Sequence, residues 1–237
     1  MNLLRPIVAA ALFAAGHAAA TSLAVIRTDK EIVIAADSRV TGLLSNTSLP
    51  DTCKVRQTGN AIAAFVGFVS AYATQAAEHF DATEVVDTIL DEPGMLAEKA
   101  EKIQAILRGQ LRKMLSAAPP KVFAELNGFV LGVVIAGQDE EEPILKLHYL
   151  RFTQAPDGTL LSSLTLCPGA GCPKGTAAIV APPANNLAAG PDAVRWARAH
   201  VQSQIDRGVP TIGGPLQLVR ITHQGLQWID QPLICSK

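Results

Sequence analysis

Residues 21–39, TSLAVIRTDKEIVIAADSR, decide how this chain folds. Residues 21–28 (TSLAVIRT) and 31–36 (EIVIAA) are apolar runs rich in β-branched side chains, separated by Asp29-Lys30, and so read as a strand hairpin. The second run ends in Asp37-Ser38-Arg39. Residues 38–50 are polar, with Gly42, Ser45, Asn46 and Pro50, and read as a loop. Residues 53–56 and 61–66 form a second strand pair about the turn signal Thr58-Gly59-Asn60, and Gly67 ends that strand. An Ala-rich segment, 71–79, reads as a helix. So does 95–115, whose apolar residues recur at helical spacing and which stops before Pro119-Pro120. Strands follow at 129–136 and 144–152, flanking an acidic stretch at 139–142, and then at 160–166 and 176–180. Residues 192–205 are an amphipathic helix with Pro191 at its first turn, and 216–222 and 226–229 are a last hairpin. Short turns join most of these strands. The expectation is therefore one α+β domain over 21–237, with antiparallel or mixed sheets and the helices outside them.

Upstream of the hairpin, residues 1–20 (MNLLRPIVAAALFAAGHAAA) have a single charge at Arg5, a short apolar run over 7–15, Gly16, and then Ala18-Ala19-Ala20. That is the layout of a signal peptide cleaved after Ala20, with an apolar run too short to span a bilayer. The expected location is exported, with no membrane anchor after cleavage. All four cysteines, Cys53, Cys167, Cys172 and Cys235, lie in the mature part, and an even count in an oxidising compartment suggests two disulfides. Of three pairings, the tight Cys167–Cys172 loop favours Cys167–Cys172 with Cys53–Cys235. A zinc site is the weaker alternative at this spacing. Twenty Lys+Arg balance 21 Asp+Glu, a net charge of −1, which argues against a nucleic-acid partner. With 49% apolar and 17% charged residues, the chain is not disordered.

Cleavage after Ala20 would expose Thr21, placing a hydroxyl nucleophile and a free α-amine on one residue. That amine titrates at about 7.7–8.0 and can serve as the base. Asp37 follows sixteen positions later at the end of the second strand, Lys54 stands thirty-three positions after Thr21, and Ala63-Ala64-Phe65-Val66-Gly67 closes a later strand. With the string Ala35-Ala36-Asp37-Ser38-Arg39, this resembles the proteasome β-subunit family of N-terminal threonine hydrolases; the lysine spacing is one residue longer. Gly213-Gly214 before a late strand extends the resemblance. It implies a four-layer α/β/β/α sandwich of two antiparallel sheets flanked by helices. It also implies that Thr21 is the nucleophile, that Asp37 orients Lys54, that Lys54 lowers the threonine pKa, and that the Gly67 N–H is an oxyanion donor, with Arg39 in support. The substrate would be a peptide or other amide, and neither cofactor nor metal is implied. A homo-oligomer is compatible with the family, although the sequence offers no surface to argue it from.

The sequence departs from the family in three places. Ala20, not Gly, precedes the threonine. Val209 and Ile212 stand where the family carries Asp and Ser, with Thr211 as the nearest hydroxyl, and Ala181-Pro182-Pro183 occupies the place of a Gly-Ser-Gly loop. Two other readings are therefore carried: a non-catalytic binding or assembly protein of this fold, and an amidase acting on small molecules. His79, His148, His200 and His223 lack ligand spacing and read as surface or satisfied histidines, residues 139–142 as a solvated turn, and Trp196 and Trp228 as packing residues.

Overall fold

The computed structural model describes residues 22–28, 30–41, 48–49, 52–72, 79–117, 128–139, 144–167, 177–181, 192–208, 211–232 and 235. Fourteen strands and three helices lie among them, in a mixed α+β arrangement. One antiparallel sheet contains β1 (Leu23–Arg27), β2 (Glu31–Ala36), β12 (Ala177–Ala181), β13 (Gln217–Thr222) and β14 (Gly225–Asp230), in the order β12-β1-β2-β13-β14. The other contains β5 (Val55–Thr58), β6 (Ala61–Gly67), β9 (Phe129–Gln138), β10 (Leu145–Gln154) and β11 (Leu160–Cys167), in the order β11-β10-β9-β6-β5. Two small ribbons pair β3 (Val40–Thr41) with β4 (Ser48–Leu49), and β7 (Ser70–Tyr72) with β8 (His79–Asp81). The helices are α1 (Ala82–Leu90), α2 (Leu96–Ala117) and α3 (Ala193–Asp206).

The unbroken apolar runs of the opening hairpin follow from burial on both faces. Alternate side chains of a strand point to opposite sides. Leu23 and Val25 of β1 accordingly join Ile32 and Ile34 of β2 in a core shared with Ile62, Val66 and Val134 of the other sheet. Ala24, Ile26, Val33 and Ala35 point the other way and pack against Ala197 and Val201 of α3. The second sheet repeats the scheme. Ile62, Ala64 and Val66 face the first sheet, while Ala63 and Phe65 pack under Val86 of α1 and Ile103 and Leu107 of α2.

Several expectations are revised. Residues 71–79 are not a helix in their described parts, since Ser70–Tyr72 and His79–Asp81 are paired strands; 73–78 lie outside the described residues. Alanine favours helix locally, but here the pairing with β8 prevails. The helix begins later, at Ala82, where the Asp81 side chain accepts from the N–H groups of Thr83 (2.8 Å) and Glu84 (3.3 Å). The loop at 38–50 contains the β3–β4 ribbon. Asp139 is not a solvated turn residue: its carboxylate accepts the Leu96 N–H at the start of α2 (2.7 Å) and pairs with Lys146, which lowers its pKa against the opposing cost of burial. His148 and His200 are neither surface nor satisfied, being 2% exposed with no partner for either ring nitrogen among the described residues. Burial lowers the pKa of both, that of His148 to about 4. His200 stacks on Trp196, and Trp228 donates to Gln57 (3.0 Å).

Cys53 and Cys235 form a disulfide. The other expected bridge involves Cys172 and the Cys167 side chain, both outside what is described. Pro191 and the signal-like residues 1–20 also lie outside it. No helix among the described residues is long and apolar enough to cross a membrane.

Candidate active site

Asp37 follows directly on β2, whose neighbours β1 and β13 shield it, and its carboxylate has no exposure. A buried carboxylate must have its lone pairs met. Oδ1 accepts from the Ser22 N–H (2.8 Å) and the Lys54 ammonium (3.0 Å), and Oδ2 from the N–H groups of Arg39 (3.2 Å) and Gly213 (3.1 Å). Four donors from four segments of chain converge on one side chain. Burial pushes the Asp37 carboxyl above its ordinary range, and the Lys54 charge together with the Gly213 and Ser22 N–H groups opposes that shift.

Lys54 is 4% exposed, so it is not a solvated strand lysine. It immediately precedes β5 of the second sheet and reaches across to Asp37 at the end of β2 in the first. The Asp37–Lys54 pair therefore ties the two sheets together at one end of their shared core.

Arg39 supports the site through its backbone and its shape. Its N–H reaches Asp37, and its guanidinium donates to the Ile212 carbonyl (3.3 Å). The same guanidinium covers Gly213, where an added Cβ would lie 2.5 Å from Arg39 Cζ. The Gly213 carbonyl in turn accepts from the N–H groups of Ser38 (3.1 Å) and Arg39 (2.9 Å). Gly213 thus both donates to the carboxylate and holds the segment that carries it.

Gly67 ends β6 with φ +90, and an added Cβ would lie 2.6 Å from the Val130 carbonyl oxygen, so only glycine fits. Along β6 the N–H direction alternates. Phe65 donates to the Lys54 carbonyl on the β5 side (2.9 Å), whereas Phe68 donates to Val130 on the β9 side (2.8 Å). The Gly67 N–H accordingly points to the β5 side, past the first residue of that strand and toward the end of the sheet where Lys54 lies.

Asp37, Lys54 and Arg39 are thus brought together, with Gly67 on the same sheet end as Lys54. Thr21 lies outside the described residues; its successor Ser22 is fixed on Asp37. The hydroxyls of Ser22 and Ser38 are buried beside this carboxylate with no partner among the described residues. Ile212 supplies a carbonyl to Arg39 and is otherwise apolar and 1% exposed, and Val209 is outside the described residues. The role of the Gly213 N–H was not legible in the sequence, because it acts 176 residues from Asp37; the Gly213-Gly214 doublet was the available signal. Scanned against protein-family models and compared with curated proteins, the chain matches neither.

Proposed function

We propose that this chain is an exported N-terminal threonine hydrolase of the proteasome β-subunit type, with that family's four-layer sandwich, cleaving a peptide or other amide through Thr21. The observation that carries the reading is the buried Asp37 carboxylate, which holds both the Lys54 ammonium and the Ser22 N–H, one residue from Thr21. A carboxyl shifted by burial and held against a specific ammonium is the kind of group found at functional sites, which supports a chemical role. The Cys53–Cys235 bond and the signal-like residues 1–20 support export.

In the proposed reaction Thr21 Oγ attacks the substrate carbonyl carbon while its proton passes, through a water, to the Thr21 α-amine. Lys54, held by Asp37, stabilises charge on the hydroxyl oxygen. The carbonyl oxygen becomes an oxyanion that the Gly67 N–H receives. The C–N bond breaks, and the leaving amine takes the proton from the α-amine. Water then attacks the ester on Thr21 Oγ, releasing the carboxylic acid and restoring the hydroxyl. A binding or assembly role is the second reading, favoured by apolar Ile212 in place of a hydroxyl.

Intact mass of the exported protein, with and without a β-lactone electrophile, tests the reading. The expected result is a chain beginning at Thr21 that gains one adduct, absent in the Thr21→Ala variant. A chain beginning elsewhere, or a Thr21 start without adduct, refutes it.

A further inference from the structure

Gln217 is the first residue of β13, has no exposure, and pairs with Ala36 on β2, next to Asp37. It shares the parity of Val219 and Ile221, which face the core between the sheets. A polar side chain aimed into an apolar core needs partners, and Gln217 finds two on the segment that carries Lys54. Its Nε2 donates to the Thr52 carbonyl (2.8 Å), and its Oε1 accepts the Val55 N–H (2.7 Å).

The consequence is local and geometric. The peptide joining Lys54 to Val55 is gripped on both sides, its C=O by the Phe65 N–H and its N–H by Gln217. Thr52 is gripped likewise, its C=O by Gln217 and its N–H by the Ser38 carbonyl (2.9 Å). One side chain therefore spans residues 52 to 55 and references them to the strand beside Asp37.

We propose that Gln217 is the positioning residue for Lys54, holding the lysine's backbone at the distance at which its ammonium meets Asp37. Its bearing on catalysis rests on the hydrolase reading above, whereas its effect on Lys54 does not. A structural brace alone would lower stability without altering Lys54 more than any other core lesion does.

The test is acetylation of the folded protein at neutral pH, with each lysine followed by peptide mass mapping and exposed Lys102 as the internal reference. In the wild type Lys54, at 4% exposure, should be protected. In the Gln217→Met variant Lys54 should label at least about tenfold faster relative to Lys102, as expected when two hydrogen bonds restraining a local opening are lost. Leu111→Ala, a cavity in the core under α2, matches the general destabilisation and should leave Lys54 protected. Should Gln217→Met not fold, Gln217→Glu keeps the acceptor for Val55 and removes the donor to Thr52, and should give an intermediate rate. Lys54 still protected in a folded Gln217 variant, or equally exposed in Leu111→Ala, overturns the proposal. β-Lactone adduct formation on the same samples reads the hydrolase separately: Gln217-dependent protection of Lys54 without any wild-type adduct would refute the function and leave the positioning intact.

Discussion

Removing the Lys54 charge should destabilise the fold most at alkaline pH and least at acid pH. In Lys54→Met the Asp37 carboxylate keeps its three N–H donors and its burial but loses its counter-ion. Two unit charges 3.0 Å apart attract by about 5.5 kcal/mol at an effective permittivity of about 20. Deleting one partner of a buried pair costs about 3–5 kcal/mol, because the survivor stays desolvated. Without the lysine the Asp37 carboxyl rises further above its ordinary value. A carboxyl held above its unfolded value takes up a proton on folding, so the penalty is full at pH 8 and shrinks as pH falls toward that raised value. Urea unfolding of the wild type, Lys54→Met, Asp37→Asn and the double variant, each at pH 8 and pH 5, measures both effects. The double variant buries neither charge, so it should recover about 2–3 kcal/mol of the summed single costs. Single costs that simply add, or a Lys54→Met deficit that grows as pH falls, would refute the reasoning.

The His148 pKa of about 4 gives the native state fewer bound protons than the unfolded chain between pH 4 and 6.5. Wild-type stability should therefore fall by about 3 kcal/mol as pH drops through that window, and His148→Leu should flatten that part of a urea-midpoint titration. Gly67→Ala forces a side chain into a φ of +90 and against the Val130 carbonyl, and should cost at least about 2 kcal/mol in thermal or urea unfolding. The Cys53–Cys235 bond spans 182 residues, for which loop-closure entropy gives a contribution of up to about 5 kcal/mol; urea midpoints with and without reductant read it directly. If Lys54 tunes the nucleophile, Lys54→Ala should slow β-lactone acylation of Thr21 by about 10²–10⁴-fold in a timed mass assay.

Much of the framework was legible because its signals are local. The double-sided burial of β1 and β2 shows as unbroken β-branched runs, the 95–115 periodicity matches α2, and each expected strand has a counterpart in the sheets. Asp37 and Lys54 could be marked only through the family resemblance that their spacing carries, and only the folded arrangement shows them on facing sheets. What escaped depends on partners far along the chain. Asp139 meets α2 at Leu96, 43 residues away, and Gln217 meets Thr52 at a separation of 165. Helix α1 was hidden by its β-branched content (Thr83, Val85, Val86, Thr88 and Ile89), although Asp81 followed by Glu84 was a readable start signal. The burial of His148 and His200 has no sequence signature, because a strand or helix position gives the face but not the depth.

The Cys53–Cys235 bond also has a consequence in time. Ser22, Asp37, Arg39 and Lys54 are all synthesised early, whereas the groups that lock them in place, Gly213, Gln217 and Cys235, come at least 159 positions after Lys54. A chain interrupted between the two sets has the aspartate and the lysine but neither the clasp nor the covalent bond that keeps Cys53 beside them. The charged pair therefore gains its full set of restraints only once the late segment has joined the early one, so the order of assembly is set by the far end of the fold and not by the segment that carries the charges.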